Sequence, residues 1–161
     1  MIRFIIPTFF GLGYINILPG TIGSLVAIPL AYYLLLTGGF FFLIICGISM
    51  FFLGWWSTNS YIGKSSKDTD PSEIIVDEVV GQWLSLLPFL FFSVAQKEID
   101  YLLNDVGWLL SFILFRFFDI VKPWPVNWAD KMKTSLGVML DDILAGIYAI
   151  CIYLIIHFLL I

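Results

Sequence analysis

The chain has 161 residues, 60% of them hydrophobic and only 12% charged, with a formal charge of −4. Its mean hydropathy of +0.98 excludes an ordinary soluble domain, in which about a quarter of residues are charged. One integral-membrane domain covering residues 1–161 is expected, with no nucleic-acid partner.

The N-terminal stretch opens with Arg3, but Pro7, Gly11, Gly13, Pro19 and Gly20 interrupt it and no small-x-small cleavage site follows, so no cleaved signal is expected. Thr21 to Thr37 is the first run approaching the ~20 apolar residues that a bilayer-crossing helix needs. Gly38-Gly39 breaks it, and Phe40 to Trp56 is the second. Ser57 to Glu78 is polar and charged. Val79 to Ala95 is the third span, with Pro88 as an expected kink. Gln96 to Asp105 is a short acidic loop, and Gly107 to Phe118 is apolar but short. Asp119 to Leu136 is polar again, and Asp142 to Ile161 is the last and clearest span. The expectation is an all-α, polytopic helical bundle of four to five hydrophobic helices. Cys46 and Cys151 both fall inside apolar runs and are expected to be free thiols.

Lysine and arginine in short loops set orientation. Lys64 and Lys67 mark the first polar loop; Arg116, Lys122, Lys131 and Lys133 mark the later one; the acidic loop holds only Lys97. Placing the first two groups and Arg3 in the cytoplasm is satisfied by five crossings. Four polar clusters from distant parts of the sequence then fall on one membrane face.

The first cluster is Asp70-Pro71-Ser72-Glu73-Ile74-Ile75-Val76-Asp77-Glu78. If helical, it stacks Asp70, Glu73 and Asp77 on one stripe, where like charges repel and a cation relieves them. Oxygen-only ligands favour a hard ion such as Mg²⁺. Helix capping by acids, at about 0.3–1 kcal/mol each, accounts for one or two of them but not four. The second cluster, Asp141-Asp142, precedes Ala145-Gly146, whose small side chains admit a neighbouring helix. In the third, Phe115 to Pro125, Arg116 and Lys122 suit a phosphate, although an interfacial anchor around Trp124 explains part of the pattern. In the fourth, Pro19-Gly20-Thr21 leads into a helix whose first amides, with the Thr21 and Ser24 hydroxyls, suit an anion. The lone histidine, His157, lies deep in the last span and is not expected to act as a nucleophile. Neither cysteine is followed five residues later by arginine, which removes a cysteine-type phosphatase.

These four segments resemble the phosphatidylglycerophosphatase A family. The resemblance is carried by Pro19-Gly20-Thr21-x-Gly23-Ser24, by Asp70-Pro71-x-Glu73-Ile74-x-Val76-Asp77-Glu78-x-x-Gly81-Gln82, by Phe115-Arg116-x-Phe118-Asp119-Ile120-x-Lys122-Pro123-Trp124-Pro125, and by Gly137-Val138-Met139-Leu140-Asp141-Asp142-x-x-Ala145-Gly146. One departure is Lys133-Thr134-Ser135-Leu136, where a glycine-richer approach is expected. The resemblance implies a Mg²⁺-dependent enzyme of the bacterial inner membrane, its site facing the cytoplasm, that converts phosphatidylglycerophosphate in the bilayer to phosphatidylglycerol. On that basis Asp77, Glu78 and Asp142 are assigned to catalysis. Asp70, Glu73, Asp77 and Asp141 are assigned to the metal, and Arg116, Lys122, Thr21 and Ser24 to the phosphate. Direct attack by water is the first expectation, an aspartyl-phosphate on Asp77 or Asp142 the alternative. The rivals are a small transporter with an acidic cation path and a non-catalytic membrane assembly subunit. Acids at span ends, rather than mid-membrane, weigh against the transporter. Oligomeric state is left open.

Overall fold

The computed structural model describes residues 2–15, 17–65, 71–95 and 106–160. They form α1 (Ile2–Ile5), a 3-10 turn (Leu12–Tyr14), α2 (Pro19–Ser65), α3 (Val76–Ala95), α4 (Val106–Val121), α5 (Val126–Asp130) and α6 (Ser135–Leu160), with no strand among the described residues. Asp70, Lys67 and the expected acidic loop Gln96 to Asp105 lie outside the described residues, as do the side chains of Arg3 and Lys64.

The expected break at Gly38-Gly39 is present. Gly39 has φ 78° and ψ −176°, a conformation closed to residues with a Cβ. A Cβ there would meet nothing within 4 Å, so the torsion and not crowding calls for glycine. Contacts with α3 show that the chain reverses here. Gly20 lies against Glu78, and Ala27 O accepts a hydrogen bond from Trp83 Nε1 at 2.8 Å, so the first arm runs parallel to α3. Gly54 lies against Val76 and Gly47 against Trp83, so the second arm runs back. α2 is thus a helical hairpin clasping α3.

α4 and α6 complete a bundle of five rods around α3. Gly107 meets Phe89 and Phe115 meets Gly81, so α4 is antiparallel to α3; Gly146 meets Gly81 and His157 stacks on Phe92, so α6 is parallel. The α3–α6 crossing is backbone against backbone: a Cβ on Gly146 would lie 2.9 Å from Gly81 O. The core is apolar, with Leu86, Phe89 and Leu90 of α3 almost fully enclosed. Phe41, Ile45, Ile48 and Phe52 of the hairpin instead face outward. Pro19–Ile62 and Ser135–Leu159 are long and apolar enough to cross a membrane. Divided at Gly39, each arm of the first is about 20 residues, or about 30 Å, one bilayer core thick. The 16 residues of α4 reach only about 24 Å, in keeping with the short segment expected there.

Two expected boundaries are corrected. α3 begins at Val76, because the amides of Ile75 and Val76 donate to Pro7 O at 2.9 and 3.2 Å. The buried segment Pro7–Phe9 thus ends the loop, and residues 71–75 are not helical. α6 begins at Ser135, not at Asp142, so Asp141-Asp142 lie about two turns inside the helix and cannot be its cap. Pro88 sits inside an unbroken α3.

Candidate active site

This topology gathers five rod ends at one pole: the start of α2, the end of its second arm, the start of α3, the end of α4 and the first turns of α6. A cleft of about 320 Å³ opens there. Leu18 to Thr21, Pro71, Ser72, Ile74, Asp77, Glu78, Arg116, Asp119, Lys122, Asp141 and Asp142 line it. All four sequence clusters contribute.

Asp77, Glu78 and Asp142 form its centre. One carboxylate oxygen from each lies within 4.8 Å of the other two. Asp77 is 6% exposed and Asp142 3%. At that spacing and an effective dielectric of about 20, each ionised pair repels by about 3–4 kcal/mol. Three such pairs rival the whole stability of a small domain, so the arrangement calls for a cation. Buried Glu78 Oε2 and Asp142 Oδ1 have no hydrogen-bond partner among the described residues. Leaving buried acceptors unmade is costly unless something else binds them. An all-oxygen donor set with two free, buried carboxylate oxygens fits a hard divalent ion.

The fold explains this convergence. Asp77 and Glu78 open α3, and Asp142 is brought to their height by the Gly81 contact, where a Cβ would lie 2.8 Å from Asp142 O. Gly20 gives Glu78 its space, since a Cβ there would collide with that carboxylate and lie 3.3 Å from Arg116 Nη1.

The remaining expected residues divide. Asp141 is 7% exposed and lines the cleft, but its Oδ2 accepts from Lys122 Nζ at 2.8 Å instead of joining the three carboxylates. Glu73 precedes α3 with its backbone against Gly13, and is not among the cleft-lining residues, so Glu73 and Asp77 do not share the expected helical stripe; Asp70, its third member, lies outside the described residues. Thr21 lines the cleft, whereas the buried Ser24 hydroxyl donates to Gly20 O at 2.9 Å, inside α2. Arg116 and Lys122 both reach the wall. Burial disfavours the Lys122 ammonium, but its hydrogen bonds to Asp130 and Asp141 outweigh that and raise its pKa above the usual lysine value. The lysine's own contribution to this link is fully present below its ordinary value of about 10.4 and is lost as pH rises through the raised one.

Asp119 and Asp130 carry roles that sequence reasoning missed. Asp119 Oδ2 lies 2.6 Å from Arg116 Nη1, and its carboxylate meets that of Asp142. The i,i+3 spacing from Arg116 was the available signal. Five carboxylates and two cations line the cleft, an excess of three negative charges. A phosphate dianion would be repelled by such a wall until a cation is bound.

His157 lies at the opposite pole, stacked on Phe92 at 4.0 Å, and cannot serve this cleft. Cys46 and Cys151 are free.

A helical membrane bundle with an acidic, cation-fitting cleft at one pole, flanked by Arg116 and Lys122, defines a membrane-embedded phosphatase. The family model described as Phosphatidylglycerophosphatase A matches residues 5–157. The chain belongs to the phosphatidylglycerophosphatase A family, and is a phosphoric monoester hydrolase acting on lipid. A Bacteroides thetaiotaomicron protein provisionally named a phosphatidylinositol-3-phosphatase is 38% identical over 90% of this chain and 87% of its own. The Escherichia coli phosphatidylglycerophosphatase A is 32% identical over 86% of this chain and 73% of its own. The Haemophilus influenzae phosphatidylglycerophosphatase A is 37% identical over 89% and 81%. No solved structure matches.

Proposed function

We propose that this chain hydrolyses the terminal phosphomonoester of phosphatidylglycerophosphate, giving phosphatidylglycerol and phosphate, with Mg²⁺ as the cofactor. The carrying observation is the meeting of Asp77, Glu78 and Asp142 beside Arg116 in one cleft at the end of the bundle. Two of the relatives bear that activity in their names.

Asp77, Glu78 and Asp142 would hold the ion, which when bound supplies Lewis acidity to a phosphoryl oxygen and lowers the pKa of water. Arg116 meets phosphoryl oxygens and is held in place by Asp119. Lys122, with Asp141 and Asp130 around it, offers a point charge at the same wall. Gly20 and Thr21, in the first turn of α2, line the cleft, and the amides of a helix's first turn would donate to a bound anion. With no histidine or cysteine among the cleft-lining residues, water attacks the phosphorus in line; its proton passes by way of a cleft carboxylate to the glycerol oxygen, which leaves as the alcohol. The pole carrying Arg116, Lys122, Lys131 and Lys133 faces the cytoplasm, by the excess of lysine and arginine in its loops, and the membrane is the bacterial inner membrane.

The test is phosphate release by purified protein from phosphatidylglycerophosphate, phosphatidylinositol 3-phosphate and phosphatidic acid, with Mg²⁺ or with EDTA. Mg²⁺-dependent release, fastest from phosphatidylglycerophosphate, is expected. Faster release from the inositol lipid would move the substrate assignment toward the Bacteroides relative. Full release in EDTA would refute the cofactor.

A further inference from the structure

Lys122 stands where α4 has just ended, in a left-handed backbone conformation with φ 47°. Its ammonium bonds two carboxylates from different elements: Asp141 Oδ2 of α6 at 2.8 Å, and Asp130 Oδ1 at the end of α5. Lys122 and Asp141 line the cleft; Asp130 does not. Asp130 nevertheless sits on a fixed support. Val126 and Ala129 of α5 are fully buried, the Tyr148 hydroxyl donates to Trp124 O at 2.7 Å, and a Cβ on Gly137 would lie 2.7 Å from Ala129 O.

A lysine stem is long and flexible, and its ammonium follows the strongest nearby negative charge. In this cleft the competing charge is the cluster of Asp77, Glu78 and Asp142. Asp141 alone, next in sequence to Asp142, would not keep the ammonium from that cluster. A second carboxylate outside the cleft, on a braced helix, does.

We infer that Asp130 is a positioning residue: with Asp141 it holds the Lys122 ammonium at the cleft wall, where it meets the incoming lipid phosphate instead of neutralising the three central carboxylates. The inference rests on the reading that Lys122 meets that phosphate. Asp130 acts only through Lys122, which separates its role from a purely structural one.

The experiment is a double-mutant cycle on Mg²⁺-supplemented full-length protein with phosphatidylglycerophosphate in mixed micelles. Asp130→Asn is expected to raise KM about tenfold while kcat changes less than about threefold, the pattern of a lost contact shared by ground and transition states. Asp130→Glu, which keeps the charge, is expected to stay within about threefold of wild-type KM. On a Lys122→Met background, Asp130→Asn is expected to add no further change. If Asp130→Asn does not yield monodisperse protein, Asp130→Ser replaces it with the same expectations. An unchanged KM in Asp130→Asn, or an equal KM effect with and without Lys122, overturns the inference while wild-type turnover leaves the functional reading standing. Absence of phosphate release by the wild type from every lipid tested overturns both.

Discussion

The two poles of the bundle are made by the same five rods and follow opposite rules. At the cleft pole, seven charged side chains line one volume and buried carboxylate oxygens lack partners. At the far pole, rings fill the space: Phe40 against Phe91, Phe92 against His157, and Phe89 against Trp108. Among the described residues the far pole is packed with aromatic rings, and its lining holds no cluster of carboxylates like that of the cleft. The cleft pole sacrifices local stability to hold like charges together, and only a bound cation and anion repay that. Chemistry in this protein is therefore polarised along the rods, and substitutions should divide by pole.

The largest effect is expected from Asp142→Asn, which removes one of the three central carboxylates. Activity should fall on the order of 10²–10³-fold, as when a key transition-state contact is lost. Melting in EDTA should move upward, because one repelling charge is gone. A variant that loses activity and also melts lower would break the contrast. Asp77→Asn should behave alike, and near-wild-type Mg²⁺-dependent release at unchanged membrane expression would remove Asp77 from the assignment. Next comes Gly20→Ala. Its new methyl displaces the Glu78 carboxylate, a flexible group, so activity should fall about tenfold with melting nearly unchanged. Gly81→Ala sits at the crossing itself, where a Cβ would be 2.6 Å from Phe115 Cε2 and 2.8 Å from Asp142 O. Overpacking there should cost about 1–3 kcal/mol, read as a lower melting temperature. The smallest effect belongs to His157→Gln at the far pole. Loss of the Phe92 stacking should cost about 0.5–1.5 kcal/mol at most, with turnover within about twofold. A collapse of activity there would mean that the poles are not separate.

Much of this was legible in the chain. Apolar runs gave the rods, Gly38-Gly39 gave the reversal, and the motif residues converge in one cleft as the orientation argument required. The failures have a common cause in tertiary partners that local spacing cannot show. Asp70 to Asp77 reads as a helical stripe, but Pro7 O captures the amides of Ile75 and Val76 and starts α3 later. Asp141 and Asp142, adjacent on one helix, diverge by ~100°, so that one faces the site and the other supports it; what the spacing did not show is the partner that decides which, since Lys122 takes Asp141 and leaves Asp142 to the carboxylate cluster. Asp130 carries no local signal, because its partner Lys122 sits eight residues away, across a break between helices.

The hairpin turn at Gly39 bears on how the enzyme comes into being. The residues that line the cleft begin at Leu18 and end at Asp142, so nearly the whole chain must be made before the last wall arrives. During synthesis the hairpin and α3 can enter the bilayer first, already carrying Asp77 and Glu78 but no third carboxylate. A phosphatase assembled in this order stays silent until α6 docks. A chain ending before Asp142 lacks one of the three clustered carboxylates and is expected to leave the lipid around it untouched.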